Sequence, residues 1–264
     1  MSVNFSDIHR EHHVKVEIAD AIALVTLDRP ESRNAVNAAM HRGLEIVFHE
    51  LSHHPDVRVI VLTGAGESFC AGGDMKNYGG SSSPIDTLRN RDLNWSMARC
   101  EAPTLSAVNG AARGIGATIA LLCDICYMAD TASIGDVHTQ FGLPAGDGGQ
   151  VIWPLLVGLH RAKEYLMTGE PVAAEKAADM GLINGCIADA ELDAHVQMMA
   201  ERLRDLPPHA VNYTKAALNV AMRQMTGAAF EMSLGYEIYT MGTNDFREAT
   251  MAFVEKRKGR FKGN

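Results

Sequence analysis

The feature that most constrains the fold is an apolar strand that ends in a loop of small residues. Residues 57–63 (Val-Arg-Val-Ile-Val-Leu-Thr) are rich in β-branched side chains, which is typical of a buried strand. The segment 68–75 (Ser-Phe-Cys-Ala-Gly-Gly-Asp-Met) follows, with Asp74 placed to open a helix. Backbone N–H groups at such a junction are unpaired, and glycine lets a ligand approach them closely. We predict a cradle for an anion or oxyanion here; an ordinary strand-to-helix turn is the alternative.

A second junction of the same kind lies further along the chain. Between the two, the Gly/Ser-rich stretch 79–84 is expected to be mobile and a helix is expected over 84–99. Residues 104–108 then predict a short strand that ends in the small-residue segment 109–116, and an apolar helix follows over 117–122. Stabilising a developing oxyanion commonly takes two N–H donors aimed at one point. Two such junctions therefore favour a catalytic cradle.

The composition is that of an average soluble globular protein. Of 264 residues, 47% are hydrophobic and 21% charged, and the formal net charge of −8 argues against a broad nucleic-acid surface. The five cysteines are scattered and odd in number, so we expect free thiols in a reducing cytoplasm. Cys123 and Cys126 have the spacing of a metal or redox motif, but they lie in an apolar run and are interpreted as buried strand residues. We expect no signal peptide and no membrane-spanning segment.

The N-terminal part predicts a hairpin followed by a helix. Residues 14–18 and 22–27 alternate in polarity as two strands. Asn37 is expected to cap a helix whose apolar stripe ends before Pro55. His41 is expected at the edge of this stripe, where a histidine is usually structural.

A long polar loop and a helical part complete the chain. A further strand is predicted over 124–129, and the glycine-rich segment 136–150 has the length of a functional loop. The pattern is helical from residue 151 onward, except for a strand-like piece over 181–187. Three successive helices are expected over 208–257. Strands with crossover helices first and helices last predict an α/β protein without a convincing internal linker.

Short motifs also follow one another in order along the chain. They are Asp-Arg-Pro at 28–30, Arg-Asn-Ala-Val-Asn at 33–37, Ser-Phe-Cys-Ala-Gly-Gly-Asp-Met at 68–75, Pro103 with Asn-Gly at 109–110, Cys-Asp-Ile at 123–125, Leu-Met-Thr-Gly-Glu at 166–170, Ala-Ala-Asp-Met-Gly-Leu-Ile-Asn at 177–184 and Phe-Val-Glu-Lys-Arg-Lys at 253–258. Each is weak alone, but so many in register are specific. In this respect the chain resembles the crotonase family, the enoyl-CoA hydratase/isomerase superfamily, over nearly its whole length.

The resemblance implies a fold, a substrate class and an assembly. The fold is an α/β core of repeated ββα units in a spiral, residues 1–200, with a C-terminal helical segment, residues 201–264, that packs against the core and neighbouring subunits. The implied assembly is a homotrimer or a hexamer of two trimers. The implied substrate is an acyl-CoA thioester, with coenzyme A as part of the substrate and no separate cofactor or metal. We expect no nucleic-acid or membrane partner and a cytoplasmic location.

The resemblance also assigns residues to substrate binding. The N–H groups of Gly73 and Ile115 would hold the thioester carbonyl oxygen, although the family usually has a glycine triplet where this chain has Gly-Ile-Gly at 114–116. Two backbone segments and a basic end, suited to phosphate, would contact coenzyme A. These residues are Asn34, Ala35, Val36, Ala71, Gly72, Asp74, Met75, Lys256 and Arg257.

Departures from the family pattern bear on the chemistry. Hydratases of the family place two glutamates over the double bond, and the matching positions here are Thr118 and His138. Threonine is no base near neutral pH, whereas an imidazole oriented by a carboxylate is one. His138 and Asp147, with His41 as a further candidate, are similar to the set in β-diketone hydrolases exemplified by 6-oxocamphor hydrolase. An N-cap role for Asp147 and an ordinary loop histidine at 138 are the structural alternatives.

Three functions are therefore weighed. The first is an acyl-CoA enzyme of the hydratase/isomerase class in which His138 and Asp147 replace the glutamates. The second is hydrolytic C–C cleavage of a β-dicarbonyl compound, either free or as a CoA ester. The third is RNA binding, which the acidic net charge opposes.

Overall fold

The computed structural model describes residues 4–75 and 90–264, and the labels below refer to elements within them. The strands are β1 (Val14–Ala19), β2 (Ile22–Leu27), β3 (Val59–Gly64), β4 (Thr104–Val108), β5 (Ala112–Arg113), β6 (Ile125–Ala129), β7 (Ser133–Gly135), β8 (Val172–Ala173) and β9 (Gly185–Ile187). The helices are α1 (Phe5–His12), α2 (Ala38–Ser52), α3 (Asn90–Arg99), α4 (Ile115–Leu122), α5 (Gly149–Thr168), α6 (Ala174–Asp179), α7 (Leu192–Arg204), α8 (Pro208–Met241) and α9 (Asn244–Val254).

Six strands form the main sheet in the order β1-β2-β3-β4-β6-β9. β1 and β2 pair antiparallel, with Val14 opposite Leu27, and this confirms the predicted hairpin. From β2 onward each neighbouring pair is parallel, so the chain between them makes crossovers. A smaller sheet has the order β5-β7-β8. The predicted α/β class, with a helical C-terminal part, is confirmed.

Helix α2 follows its predicted cap and stripe. The Asn37 side chain accepts a hydrogen bond from the N–H of Met40 at 2.8 Å, which satisfies a donor that the first helical turn leaves unpaired. The helix ends at Ser52, before Pro55. Its apolar stripe is fully buried: Met40, Leu44, Val47, Phe48 and Leu51. Each such side chain contributes about 1.5–3 kcal/mol through burial, so the stripe fixes α2 against the sheet.

The two predicted junctions come together at one edge of the sheet. β3 and β4 are parallel neighbours, with Ile60 opposite Thr104, so both strands end at the same edge. Beyond them, the N–H of Cys70 donates to the carbonyl of Ala111 at 3.0 Å, and the N–H of Arg113 donates to the carbonyl of Cys70 at 2.9 Å. The loop after β3 therefore lies alongside the loop after β4.

The C-terminal part holds two helices where the sequence pattern predicts three. α8 runs unbroken through Gly227 and Gly235, whose backbones stay helical. A buried contact holds this helix near its start: the Lys215 ammonium lies 2.7 Å from Oδ2 of Asp124 and donates to the carbonyl of Ala102 at 2.7 Å. That contact fixes the long helix on the core.

Other local differences have simple causes. The pattern does not predict α1, an eight-residue helix in which only Ile8 is buried, so it lacks an apolar stripe. α5 follows the helical pattern predicted from residue 151 onward, but it is interrupted by a non-helical Gly158. The predicted mobile stretch 79–84 and the start of the helix over 84–99 lie outside the described residues, and α3 confirms the end of that helix.

The cysteines behave as the composition predicts. All five are free, and Cys123 and Cys126 are buried. Burial raises the pKa of the Cys126 thiol to about 12, so this pair has the character of core residues. Within residues 4–75 and 90–264, no helix combines the length and the apolar character that crossing a bilayer requires.

Candidate active site

The two N–H groups assigned to the carbonyl oxygen belong to the paired loops. Gly73 forms an isolated bridge with Val36, and Ile115 is the first residue of α4. Across the described part of the chain, no backbone carbonyl accepts the N–H of either residue. Their role in binding a carbonyl oxygen stays a prediction.

His138 lies beside the second of these donors. Its side chain is 14% exposed, at the start of a short 3-10 turn over His138–Phe141. Gly114 precedes Ile115, and a Cβ added to Gly114 would lie 3.4 Å from Cε1 of His138. The imidazole therefore lies next to the turn that presents the Ile115 N–H.

Asp136 holds one nitrogen of this ring. Nδ1 of His138 lies 2.5 Å from Oδ1 of Asp136, a carboxylate that is buried at the end of β7. The backbone N–H of His138 donates to the same oxygen at 3.2 Å. Sequence reasoning missed Asp136, although its position two residues before the histidine places both side chains in one turn. The ring orientation is set by Asp136.

Asp147 faces the other nitrogen. Nε2 of His138 lies 3.5 Å from Oδ2 of Asp147, and the Thr118 hydroxyl donates to Oδ1 at 3.1 Å. The Asn94 amide donates to the backbone carbonyl of Asp147 at 2.6 Å. The predicted pair of His138 and Asp147 is therefore close in space, although the shorter contact of the ring is with Asp136. Thr118 contacts this carboxylate from α4.

The charges in this cluster shift its pKa values. Burial alone would lower the pKa of His138, but the charges of Asp136 and Asp147 outweigh burial and raise it well above its usual value. Burial raises the pKa of Asp147 to about 6; the positive His138 opposes this shift, and Asp136 adds to it. The cluster therefore retains protons near neutral pH, as acid–base chemistry requires.

A further carboxyl group reaches the cluster from α8. Glu237 is 2% exposed, and burial raises its pKa to about 8, with His138 opposing and Asp147 and Asp136 adding to the shift. Sequence reasoning missed Glu237 because it lies 99 positions after His138 in the chain (237 − 138). No local spacing signals the contact.

The same groups also satisfy a distance criterion for a metal centre. Donor atoms of Asp136, His138 and Asp147 lie within 4.8 Å of one another. The two carboxylates face different nitrogens of one imidazole, however. This arrangement accounts for the spacing by hydrogen bonding and ion pairing, and we interpret the cluster as an acid–base group.

The segments assigned to coenzyme A are brought together. The N–H of Val36 donates to the carbonyl of Gly72 at 2.8 Å, and the N–H of Asp74 donates to the carbonyl of Val36 at 3.0 Å. The Asn34 side chain is fully buried and donates to the carbonyls of Ala65 and Ser68 at 2.9 and 2.8 Å. Asn34 therefore joins the two loops structurally, and contact with coenzyme A stays a prediction.

The basic C-terminal residues are exposed, and one of them already forms ion pairs within the chain. Arg257 forms ion pairs with Glu248 and Glu255, both with nitrogen–oxygen distances of 2.5 Å. Lys256 takes part in none of the ion pairs recorded for the described residues. A phosphate would therefore compete with two carboxylates for Arg257.

His41 lies in α2 next to Met40 of the apolar stripe and is 9% exposed. The contacts that join His138 to Asp136 and Asp147 are made without it. A catalytic part for His41 stays a prediction.

A small apolar cavity adjoins Asp147. Its volume is about 20 Å³, enough for about one water molecule, and Asn94, Trp95 and Gly148 contribute to its lining. Trp95 packs edge-on against Phe230, with 5.7 Å between the ring centres. These aromatic side chains place an apolar surface next to the acid–base cluster.

Comparison with known proteins points to one family. The family model described as enoyl-CoA hydratase/isomerase matches residues 17–264. The chain is 34% identical over 255 residues to a protein of Rhodobacter capsulatus named probable enoyl-CoA hydratase, covering 96% of this chain and 98% of that one. It is 35% identical over 210 residues to a hydroxycinnamoyl-CoA hydratase-lyase of Pseudomonas fluorescens, covering 76% of each. A crystal structure of an enoyl-CoA hydratase/isomerase from Mycobacterium paratuberculosis superimposes with a TM-score of 0.86 at 36% identity, covering 91% of this chain and 98% of that one.

Proposed function

The chain belongs to the enoyl-CoA hydratase/isomerase family, and from this membership we propose that it acts on an acyl-CoA thioester with His138 as its acid–base group. The observation that carries the proposal is the placement of the ring. His138 lies next to the turn before Ile115, and each of its nitrogens faces a buried carboxylate. An imidazole held between carboxylates can accept a proton and return it, as general acid–base catalysis requires.

The reaction starts at the thioester carbonyl. Its oxygen accepts hydrogen bonds from the N–H groups of Gly73 and Ile115, which stabilise the negative charge that develops there. In hydration, neutral His138 takes a proton from water, and the hydroxide oxygen bonds to the β-carbon. The resulting enolate takes a proton at the α-carbon from the imidazolium, or from the protonated Asp147 carboxyl, which the imidazolium then reprotonates. One water is added, and the protein groups return to their starting state.

Hydrolytic C–C cleavage is the second candidate. The observation that favours it is the absence of both family glutamates, since Thr118 and His138 stand at those positions and Thr118 donates to Asp147. Here His138 takes a proton from water, and the oxygen bonds to a ketone carbon of a β-dicarbonyl compound. The bond from that carbon to the α-carbon breaks. The leaving enolate, stabilised by the second carbonyl, is then protonated by the imidazolium.

Turnover by purified protein decides between these reactions. We expect hydration of crotonyl-CoA, and we expect His138→Ala to lower kcat by about 10²–10⁴, the usual share of general acid–base catalysis. His160→Ala, at an exposed histidine of α5, is the matched control and should keep wild-type rates. A His138→Ala protein with undiminished hydration would remove His138 from the mechanism.

The opposite pattern would establish the second candidate. It consists of no hydration of crotonyl-CoA together with cleavage of a cyclic 1,3-diketone that needs both His138 and Asp147. Micromolar binding of coenzyme A, lost when Lys256 and Arg257 are both neutralised, would restrict cleavage to CoA esters. Retention of CoA binding by that double variant would remove the basic end from the binding site.

A further inference from the structure

The end of α2 carries two histidines four residues apart. Residues 49–53 are His-Glu-Leu-Ser-His, and the spacing His-Glu-x-x-His on a helix places two imidazoles on one face, as zinc-binding helices do. Helix α2 ends at Ser52, and His53 is its C-terminal cap. The N–H of His53 donates to the carbonyl of Glu50 at 3.2 Å, so the chain keeps turning through this residue. The motif therefore has the helical setting that its spacing requires.

The rings of His49 and His53 are neighbours on the surface. Their centres lie 5.4 Å apart, and both residues are exposed. Two nitrogens bound to one zinc ion lie at most about 4.2 Å apart, which is twice the Zn–N bond length. Because the nitrogens lie off the ring centres, a rotation of the exposed His49 ring can bring one of them within this limit of the His53 ring.

The backbone sets the tautomer of His53. Its Nδ1 lies 3.1 Å from the carbonyl oxygen of His49. A carbonyl oxygen only accepts hydrogen bonds, so Nδ1 of the neutral ring carries the proton and Nε2 keeps its lone pair. Histidines that bind metals almost always donate from the other nitrogen in this way, which orients the ring and makes the ligand more basic. His53 is therefore prepared to bind a metal ion through Nε2.

We propose that His49 and His53 bind a divalent transition-metal ion of the zinc, copper or nickel class at the end of α2. Imidazole nitrogens suit these ions, whereas calcium and magnesium prefer oxygen ligands. The site shares no residue with the acid–base cluster and is independent of the proposed function.

The ligand set limits what this site does. Among the described residues, only Asp136, His138 and Asp147 form a set of three histidine, cysteine or carboxylate ligands with donor atoms within 4.8 Å of one another. Water molecules would therefore complete the coordination of an ion at α2. Catalytic zinc centres hold the ion with three protein ligands. The pair at α2 is thus a binding site and not the centre of a hydrolase.

Equilibrium dialysis against Zn²⁺, with the bound metal measured by atomic absorption, tests the site. We expect wild type to hold one more ion per chain than His49→Ala or His53→Ala at micromolar free zinc. Affinity should fall by at least about tenfold in each variant, because loss of even an outer partner of a metal ligand costs about 10–100-fold. His160→Ala, at an exposed histidine of α5, is the matched control and should bind as wild type does. Equal zinc content in wild type and both α2 variants would overturn the proposal.

The thermal midpoint shows whether the ion binds the folded chain through both rings. An ion that binds only the folded state stabilises it by RT ln(1 + c/Kd), where c is the free zinc concentration. Zinc should therefore raise the midpoint of wild type and of His160→Ala, but not that of His49→Ala or His53→Ala. Midpoints without zinc check folding and should agree, because both α2 positions are exposed and alanine favours a helix. An equal rise in wild type and both α2 variants would contradict the proposal. Neither measurement uses turnover, so a failed hydration assay leaves both outcomes readable.

Discussion

The chemistry at the scale of single residues depends on the carboxylates around one imidazole. Asp136 lies closer to the His138 ring than Asp147 does, at 2.5 Å against 3.5 Å. The nearer carboxylate, Asp136, fixes the orientation and tautomer of the ring, as a carboxylate hydrogen-bonded to Nδ1 does for catalytic histidines in general. Asp147 is the better placed of the two to exchange protons, because burial raises its pKa to about 6.

Asp136→Asn tests this division of roles. Removing the charge takes away one of the groups that raise the pKa of His138, so the acid limb of the kcat/KM profile should move to lower pH. Loss of the ring's partner should also lower kcat by about 10²–10⁴. Asp193→Asn, at an exposed position of α7, is the control. A profile identical to that of wild type would show that Asp136 does not act on His138.

The residues of the acid–base cluster could be predicted from the sequence only in part. The resemblance brings His138 and Asp147 together because both fall on motif positions of one loop. Asp136 also lies in this loop, two residues before His138, but it matches no motif quoted for the family. Glu237 approaches through the packing of α8, and no pattern within the sequence specifies that long-range contact.

At the scale of elements, the turn before α5 links three parts of the site. Gly148 has φ +128°, in the range that favours glycine, and a Cβ there would lie 2.7 Å from Nδ2 of Asn94 and 2.8 Å from Cγ2 of Thr118. Asn94 belongs to α3 and Thr118 to α4. The turn therefore holds Asp147 between two helices.

Gly148→Ala should disturb both stability and activity. The added methyl group must displace Asn94 or Thr118 and adopt a strained backbone, which should cost about 1–3 kcal/mol of unfolding free energy and lower kcat. Gly227→Ala, at a helical position with open space around its Cβ, should instead stabilise by up to about 1 kcal/mol. Chemical denaturation of both variants measures the difference. Equal stability of the Gly148→Ala variant and wild type would contradict the packing described for this turn.

Elements with a strong periodic pattern were predictable, and elements fixed by tertiary contacts were not. The alternation of the β1–β2 hairpin and the stripe of α2 specify those elements locally. The packing of α8 on the core includes the contact of Lys215 with Asp124, 91 positions apart (215 − 124). A pattern that contains glycines predicts breaks where the packed helix has none.

At the scale of the whole molecule, α8 carries apolar side chains that the single chain leaves exposed. They include Tyr213, Leu218, Met225, Met232, Tyr236 and Tyr239. Apolar surface of this extent marks interaction sites. This exposed apolar surface supports the proposal of a homotrimer or hexamer. The division of the chain into a core and a C-terminal segment near residue 200 stays a prediction.

Light scattering tests the assembly. We expect a mass of three or six times 28.6 kDa, and we expect Met225→Glu with Met232→Glu to reduce it, because charge on this surface opposes burial. Met198→Glu, at a comparably exposed position of α7, should keep the wild-type mass. A wild-type mass of 28.6 kDa at micromolar concentration would contradict the assembly.

The central claim is that His138 acts on a thioester whose carbonyl oxygen is held by Gly73 and Ile115. A crystal structure with an unreactive acyl-CoA bound tests it most directly. The account predicts the carbonyl oxygen at about 3 Å from both N–H groups, with His138 the nearest ionisable side chain to the α- and β-carbons. An acyl-CoA bound with its carbonyl away from these donors, or with its reacting carbons out of reach of His138, would contradict the account.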